Sequence, residues 1–250
     1  MAEIKVVSDF SELNRAAATL FQQRAGVAVQ SKDSFVVALS GGSTPKGLFS
    51  QLASNPENLP WRQMYFFWGD GRHVPPDHPE SNYRMAYETL LSRVPVAPEN
   101  VLRIPAEHPD ATRVAEQYEQ TLKKFFHLRP GQLPRFDLML QGLGPDGHTA
   151  SLFPGSPALH ERSRLVAANW VEKLNAYRIT LTVPVIKHAA CVLFLVSGKE
   201  KKQAFEAVLD PDSSADQFPA KLVCPMNGEL IWLVDREVMP DQMRVSSREN

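Results

Sequence analysis

Three stretches of the sequence carry residue types that can hold a charged substrate and move a proton. SGGSTPKG (40–47) joins two glycines to two hydroxyls. GDGRHVPPDHPESN (69–82) offers Asp70, Arg72, His73, Asp77 and His78. QGLGPDGH (141–148) ends on His148. A free imidazole titrates near pH ~6.5, so His148 can take a proton at neutral pH.

In the first stretch, Gly41 and Gly42 permit backbone conformations that turn N–H groups inward. Ser43 or Thr44 is expected to cap the helix that follows, with Pro45 at its first position. The start of such a helix attracts anions, so a phosphate or sugar ligand is expected there. The stretch is not a Walker A loop, because Gly47-Leu48 stands where Lys-Ser/Thr is required. An ordinary capped helix start would read the same way.

In the second stretch, the two histidines lie five apart between prolines, which matches no common metal-ligand spacing. Asp70 and Arg72 are two apart at a strand end and are expected to project the same way. The planar fork of Arg72 suits a phosphate or carboxylate, while a plain surface salt bridge is the alternative. Ser81 is a good cap for a helix beginning near Asn82.

The third stretch contains GLGPDG, a literal G-x-G-x-x-G. A dinucleotide site needs a helix opening inside that motif and an acid roughly 20 residues on. Pro154 and Pro157 stop such a helix early, Asp146 would repel a pyrophosphate, and LVAANW ends in no acid. What remains is a turn that presents His148. Its side chain is either a general base at the rim of the fold or the cap of a short helix HTASLF, and spacing alone leaves both open. The sequence holds no G-x-S-x-G, C-x-x-C or H-E-x-x-H. A base acting on water is therefore simpler than covalent or metal-assisted hydrolysis. Arg178 and Lys201 are further cations able to neutralise a phosphate, or else solvated surface charges.

These residues need elements to bring them together. FVVAL (35–39), MYFFW (64–68), FDLML (136–140), RITLTV (178–183), CVLFLV (191–196) and LIWLV (230–234) read as strands. Several are apolar at consecutive positions, as in a mostly parallel sheet covered on both faces. Residues 110–128 read as an amphipathic helix with Val114, Tyr118, Leu122 and Phe125 on one face, and 11–25, 82–92 and 199–209 also read as helices. The alternation predicts a layered α/β fold in one domain over 1–250. Ligands of such a sheet bind beyond the carboxyl ends of its strands, and all three loaded loops follow predicted strands.

The net charge of -1, with no block of like charge, removes the footprint of a general nucleic-acid binder. No segment approaches ~18 apolar residues, and the first residues carry no basic region followed by an apolar run, so no membrane segment is expected. Of the two cysteines, Cys191 lies in an apparent buried strand, where packing rather than a disulfide is expected. A cytoplasmic protein is the default.

Taken in order, LSGGSTP, GD-x-R-x-VPPDHPESNY, FDLMLQGLGPDGHTASLFPGSP, RITLTVPVI and LFLVSGKEK resemble the 6-phosphogluconolactonases, which share a modified Rossmann-like fold with glucosamine-6-phosphate deaminases. The resemblance spans about residue 35 to 234. It implies a cytosolic hydrolase that opens 6-phospho-D-glucono-1,5-lactone without a metal or organic cofactor. It implies His148 as general base, and Gly41, Gly42, Ser43 and Thr44 as the sugar-phosphate loop. It also places Asp70, Arg72, Arg178 and Lys201 near the substrate. The partner would be a small sugar phosphate, with no nucleic acid and no membrane, bound by a monomer or small homo-oligomer. The related deaminases carry a glutamate five residues after the histidine, where this chain has Phe153. A non-catalytic sugar-phosphate sensor is the alternative from another class. Two positions depart from the family pattern: Gly71 stands where Glu is usual and Ala190 where Arg is usual. A single lost ion pair would account for both.

Overall fold

The computed structural model describes residues 2–240; Met1 and residues 241–250, included in the single-domain expectation, lie outside it. Nine strands are present among the described residues: β1 (Glu3–Val7), β2 (Phe35–Leu39), β3 (Met64–Trp68), β4 (Asp70–Arg72), β5 (Leu138–Gln141), β6 (Val166–Val171), β7 (Ala176–Leu181), β8 (Cys191–Val196) and β9 (Glu229–Asp235). Six of them form one all-parallel sheet in the order β1-β9-β8-β5-β2-β3. The helices are α1 (Phe10–Lys32), α2 (Ser43–Ala53), α3 (Asn82–Thr89), α4 (Ala111–Phe125), α5 (Val183–Lys187) and α6 (Lys202–Leu209).

The apolar runs behave as their patterning predicts. Every residue of β2 and β8 is buried, as expected for strands covered on both faces. α4 turns Val114, Tyr118 and Leu122 into the core, and its start is capped by Asp110, which accepts from Thr112 N and Arg113 N. The Tyr118 hydroxyl accepts from Trp68 N at 2.8 Å and donates to Trp68 O at 3.0 Å, which fixes the carboxyl end of β3 against this helix. α1 runs on to Lys32, past the expected end near residue 25. Gly26 does not break it, and Asp33 closes it in the left-handed region at φ 59°.

One strand lies elsewhere than the sequence suggested. RITLTV falls not in the parallel sheet but in β7, the centre of a separate antiparallel sheet in the order β4-β7-β6. The chain leaves the main sheet at Gly69, whose N–H donates to Leu39 O and whose carbonyl accepts from Leu181 N. β4 therefore starts a second layer directly above the end of β3. In the main sheet, β2 continues to β3 on one side and has β5 on the other. This is a point where strand order reverses, and a crevice opens at the carboxyl ends of such neighbours.

Candidate active site

The three loaded loops meet in an open cleft of about 520 Å³ at that reversal point. Gly41, Gly42, Asp70, Arg72, His148, Arg178 and Lys201 all line it. Ser43 and Thr44 are not among the lining residues. Nor does either cap α2: its N-cap is Gly42, at φ 104°, with no side-chain cap, and Pro45 is the third helical residue rather than the first. The positive φ of Gly42 makes the turn one residue earlier than the hydroxyls suggested. The first N–H groups of α2 consequently have no side-chain cap, and the helix starts directly after Gly41 and Gly42, which line the cleft, an arrangement that favours an anion.

Asp70 and Arg72 both point into the cleft from β4, as their spacing predicts, but they do not simply pair with each other. Arg72 Nη1 donates to Glu80 O at 2.8 Å and to Asn82 Oδ1 at 3.0 Å. Asn82 Nδ2 in turn donates to Asp70 O at 3.1 Å. Ser81 caps α3 through its hydroxyl, which accepts from Arg84 N, so Asn82 sits on a fixed first turn. Asp70 is buried and accepts the Ser151 hydroxyl at 2.7 Å. Burial raises its pKa above the usual carboxylate range, and the Ser151 bond and nearby Arg72, His148 and Arg178 only partly offset this.

Arg72 and Arg178 are direct partners across β4 and β7. Like charges opposed on a sheet are unfavourable. Burial first, and then Arg72, lower the pKa of Arg178. Lys201 enters from the turn after β8. That turn is tied to the end of β9, because Asp235 Oδ2 accepts from the Ser197 hydroxyl and, at 3.1 Å, from Gly198 N. Lys173 is paired with Asp146, so Arg72, Arg178 and Lys201 face the single remaining carboxylate, Asp70, around the cleft. The excess suits a dianionic group.

His148 stands on a tight turn, not on a helix. Gly144 N donates to His148 O at 2.8 Å, Gly147 N donates to Gly144 O at 3.0 Å, and the segment HTASLF forms turns around a Thr149–Leu152 bridge. The helix-cap reading of His148 therefore fails. Its ring packs directly over Gly144, where an added Cβ would lie 2.0 Å from Nδ1. Nδ1 bonds Asp146 Oδ1 at 2.5 Å, which leaves Nε2 as the second ring nitrogen. The imidazole also stacks on Phe153, with ring centres 4.3 Å apart and planes inclined by 26°. Burial opposes ionisation of Asp146, but its bonds from His148 and Lys173 outweigh burial and hold its carboxyl well below the usual range.

Several site residues escaped sequence reasoning. In the sequence Asp146 stands out only as a charge unfavourable to pyrophosphate, although an acid two residues before a histidine is a local signal for an oriented imidazole. Asn82, Ser151 and Lys173 gave no such signal, since each reaches the cleft through long-range pairing. Ser40, buried at the end of β2, also lines the cleft, and its hydroxyl has no partner among the described residues.

Comparison with known proteins fits this geometry. Residues 8–232 match the family described as glucosamine-6-phosphate isomerases/6-phosphogluconolactonase. The chain is 42% identical over 210 residues to a 6-phosphogluconolactonase of Synechocystis sp., covering 84% of this chain and 85% of that one. It is 39% identical to a 6-phosphogluconolactonase of Nostoc sp., covering 93% and 95% of the two chains. Among solved structures, 6-phosphogluconolactonase from Trypanosoma brucei superposes with a TM-score of 0.84 at 31% identity, covering 95% of this chain and 97% of that one.

Proposed function

Because the chain belongs to the glucosamine-6-phosphate isomerase/6-phosphogluconolactonase family, we propose a lactonase reading of its cleft in which His148 is the general base. The reaction is hydrolysis of 6-phospho-D-glucono-1,5-lactone to 6-phospho-D-gluconate, a step of the oxidative pentose phosphate pathway. The observation that carries the assignment of roles is the Asp146–His148 pair at 2.5 Å, set in a cleft with an excess of cations.

The geometry supports the following roles. Asp146 holds Nδ1–H, so the lone pair of His148 lies on Nε2. Arg72, Arg178 and Lys201, with the open N–H groups at the start of α2, hold the phosphate. The glycines Gly41 and Gly42 let the ligand approach the backbone closely, and Ser43 and Thr44 contribute main-chain N–H groups rather than lining side chains. With the phosphate anchored, Nε2 removes a proton from water as the oxygen attacks C1 of the lactone. The carbonyl becomes a tetrahedral oxyanion, the species that a lactonase site must accommodate. The ring oxygen then leaves and takes the proton from the imidazolium. The N–H groups of Gly144 and Gly147 are engaged inside their own turn and do not serve as the oxyanion donors.

Phe153 favours hydrolysis over deamination. It stacks on the imidazole and has no proton to give where the resemblance places a glutamate in deaminases. A strained ester needs only this much help. We place the activity in the cytoplasm, on a free sugar phosphate, in a monomer or small homo-oligomer without metal or organic cofactor. Among the described residues, no helix is long and apolar enough to cross a membrane.

The test is a lactonase assay on freshly generated substrate with the spontaneous rate subtracted. His148→Ala is expected to keep its thermal unfolding profile and lose roughly 10²–10⁴-fold in kcat/KM, the usual scale of general-base help. A folded His148→Ala variant with near-normal kcat/KM would overturn the assignment.

A further inference from the structure

The hairpin joining β6 to β7 sends its tip to the mouth of the cleft, and Lys173 on that tip touches both supports of His148. Its Nζ donates to Asp146 Oδ2, while Oδ1 of the same carboxylate takes the His148 bond. The same ammonium stands 4.7 Å from the centre of the Phe153 ring, against which the imidazole stacks. Asn175, in the left-handed region at φ 45°, closes the turn and fixes the approach of the tip.

Resting on the lactonase reading above, we propose that Lys173 is a positioning residue for the general base. It fixes the rotation of the Asp146 carboxylate, so that Oδ1 faces His148, and it balances that carboxylate's charge. The balance matters chemically. A lone carboxylate beside an imidazole favours the imidazolium, and a base already protonated cannot accept a proton from water. The other charges facing the ring are Asp70 and Arg72 from β4, Arg178 from β7, and Lys201 from the turn after β8. Lys173 is the one among these that bonds the histidine's own partner. Its side chain is 51% exposed, so as a mere surface ion pair it would contribute little to stability. Its effect belongs to turnover.

The experiment compares Lys173→Met and Lys173→Arg with the native enzyme, each checked by thermal unfolding, using fresh 6-phosphogluconolactone. Lys173→Met is expected to unfold at the native temperature and to lose roughly ten- to hundredfold in kcat, the scale of a misplacement of about 1 Å. KM stays within about twofold, because binding is untouched. Lys173→Arg, which keeps the charge and the donor, recovers most of the rate. The acid limb of the kcat/KM profile moves to higher pH in Lys173→Met, since the unbalanced carboxylate favours the protonated base. In an Asp146→Asn background the same substitution adds no further loss. A rise in KM at unchanged kcat would place Lys173 on the substrate instead and overturn the proposal, as would unchanged kinetics or a stationary acid limb. A near-normal His148→Ala variant would overturn the lactonase reading and this inference with it, whereas a silent Lys173→Met beside a dead His148→Ala overturns this inference alone.

Discussion

At the scale of single residues, the cleft is held by groups whose native state costs stability. Asp70 is the clearest case. Its carboxyl is buried, and burial outweighs the Ser151 hydroxyl and the neighbouring cations, so its pKa is raised in the folded protein. An unfolded aspartate titrates near ~3.9. The folded state therefore binds the proton more tightly, and its advantage from this group is complete below about pH 4 and is lost as pH rises through the folded value. Above about pH 4 the buried Asp70 is a net burden on stability, because the unfolded chain ionises this group more readily than the folded one. Asp70→Asn keeps an oxygen able to accept the Ser151 hydroxyl and removes the buried charge. Thermal unfolding between about pH 4 and 8 should show the variant melting above the native protein at neutral pH, with the gap closing toward pH 4. Its kcat/KM should fall, because the carboxylate also faces Arg72 and Arg178, the two arginines proposed to hold substrate. Such an exchange of stability against activity is common at sites built for function. A variant melting lower by the same amount at every pH would contradict the burial argument.

At the scale of elements, the strands and helices were largely legible because each is decided by nearby residues. β2, β3 and β8 match their apolar runs residue for residue. Val114, Tyr118 and Leu122 mark the inner face of α4 at a helical period. The short β4 was not legible. Three residues, Asp70–Arg72, carry no periodicity, and their partner in β7 lies more than a hundred positions away. The same holds for Asn82, which joins α3 to β4 by two side-chain bonds. That junction leaves no room beside Gly41, where an added Cβ would stand 2.0 Å from Asn82 Oδ1. Gly41→Ala must therefore drive Asn82 aside and leave Arg72 held only by its bond to Glu80 O. Overpacking of this kind costs about 1–3 kcal/mol of stability. The kinetic signature is expected in KM for the lactone, raised about tenfold for one lost charged contact worth about 1.4 kcal/mol. An unchanged KM would mean that Arg72 finds the substrate without Asn82.

At the scale of the whole molecule, the convergence of the three loops was legible because a parallel α/β sheet collects the carboxyl ends of its strands at one rim. What the rim adds from the second sheet, Arg178 and Lys173, depends on how β7 and β6 fold back over it, and no local pattern records that. Register also settles the two departures at Gly71 and Ala190. Trp68, at the end of β3, is level with Leu39, and Ala38 is level with Met139, itself level with Val192. Ala190 precedes β8, at the amino end of the sheet, while Gly71 lies beyond the carboxyl end of β3. The positions are thus about 10 Å or more apart along the strands and about three strand spacings, roughly 14 Å, across them. A glutamate at 71 and an arginine at 190 could not meet, so the idea of a single lost ion pair fails, and the two changes are separate. Gly71 faces away from the cleft toward Ile104, whose Cδ1 would lie 3.1 Å from an added Cβ. Gly71→Glu is therefore expected to cost about 1–3 kcal/mol, the scale of an unsatisfied buried polar group. KM should stay within about twofold, because the cleft side of β4 is unaltered. Combined with Ala190→Arg, the effects on unfolding free energy should add within about 0.5 kcal/mol, as for distant sites without shared partners. A double variant more stable than that sum by 1 kcal/mol or more would require contact between the two ends of the sheet and would overturn the register on which the argument rests.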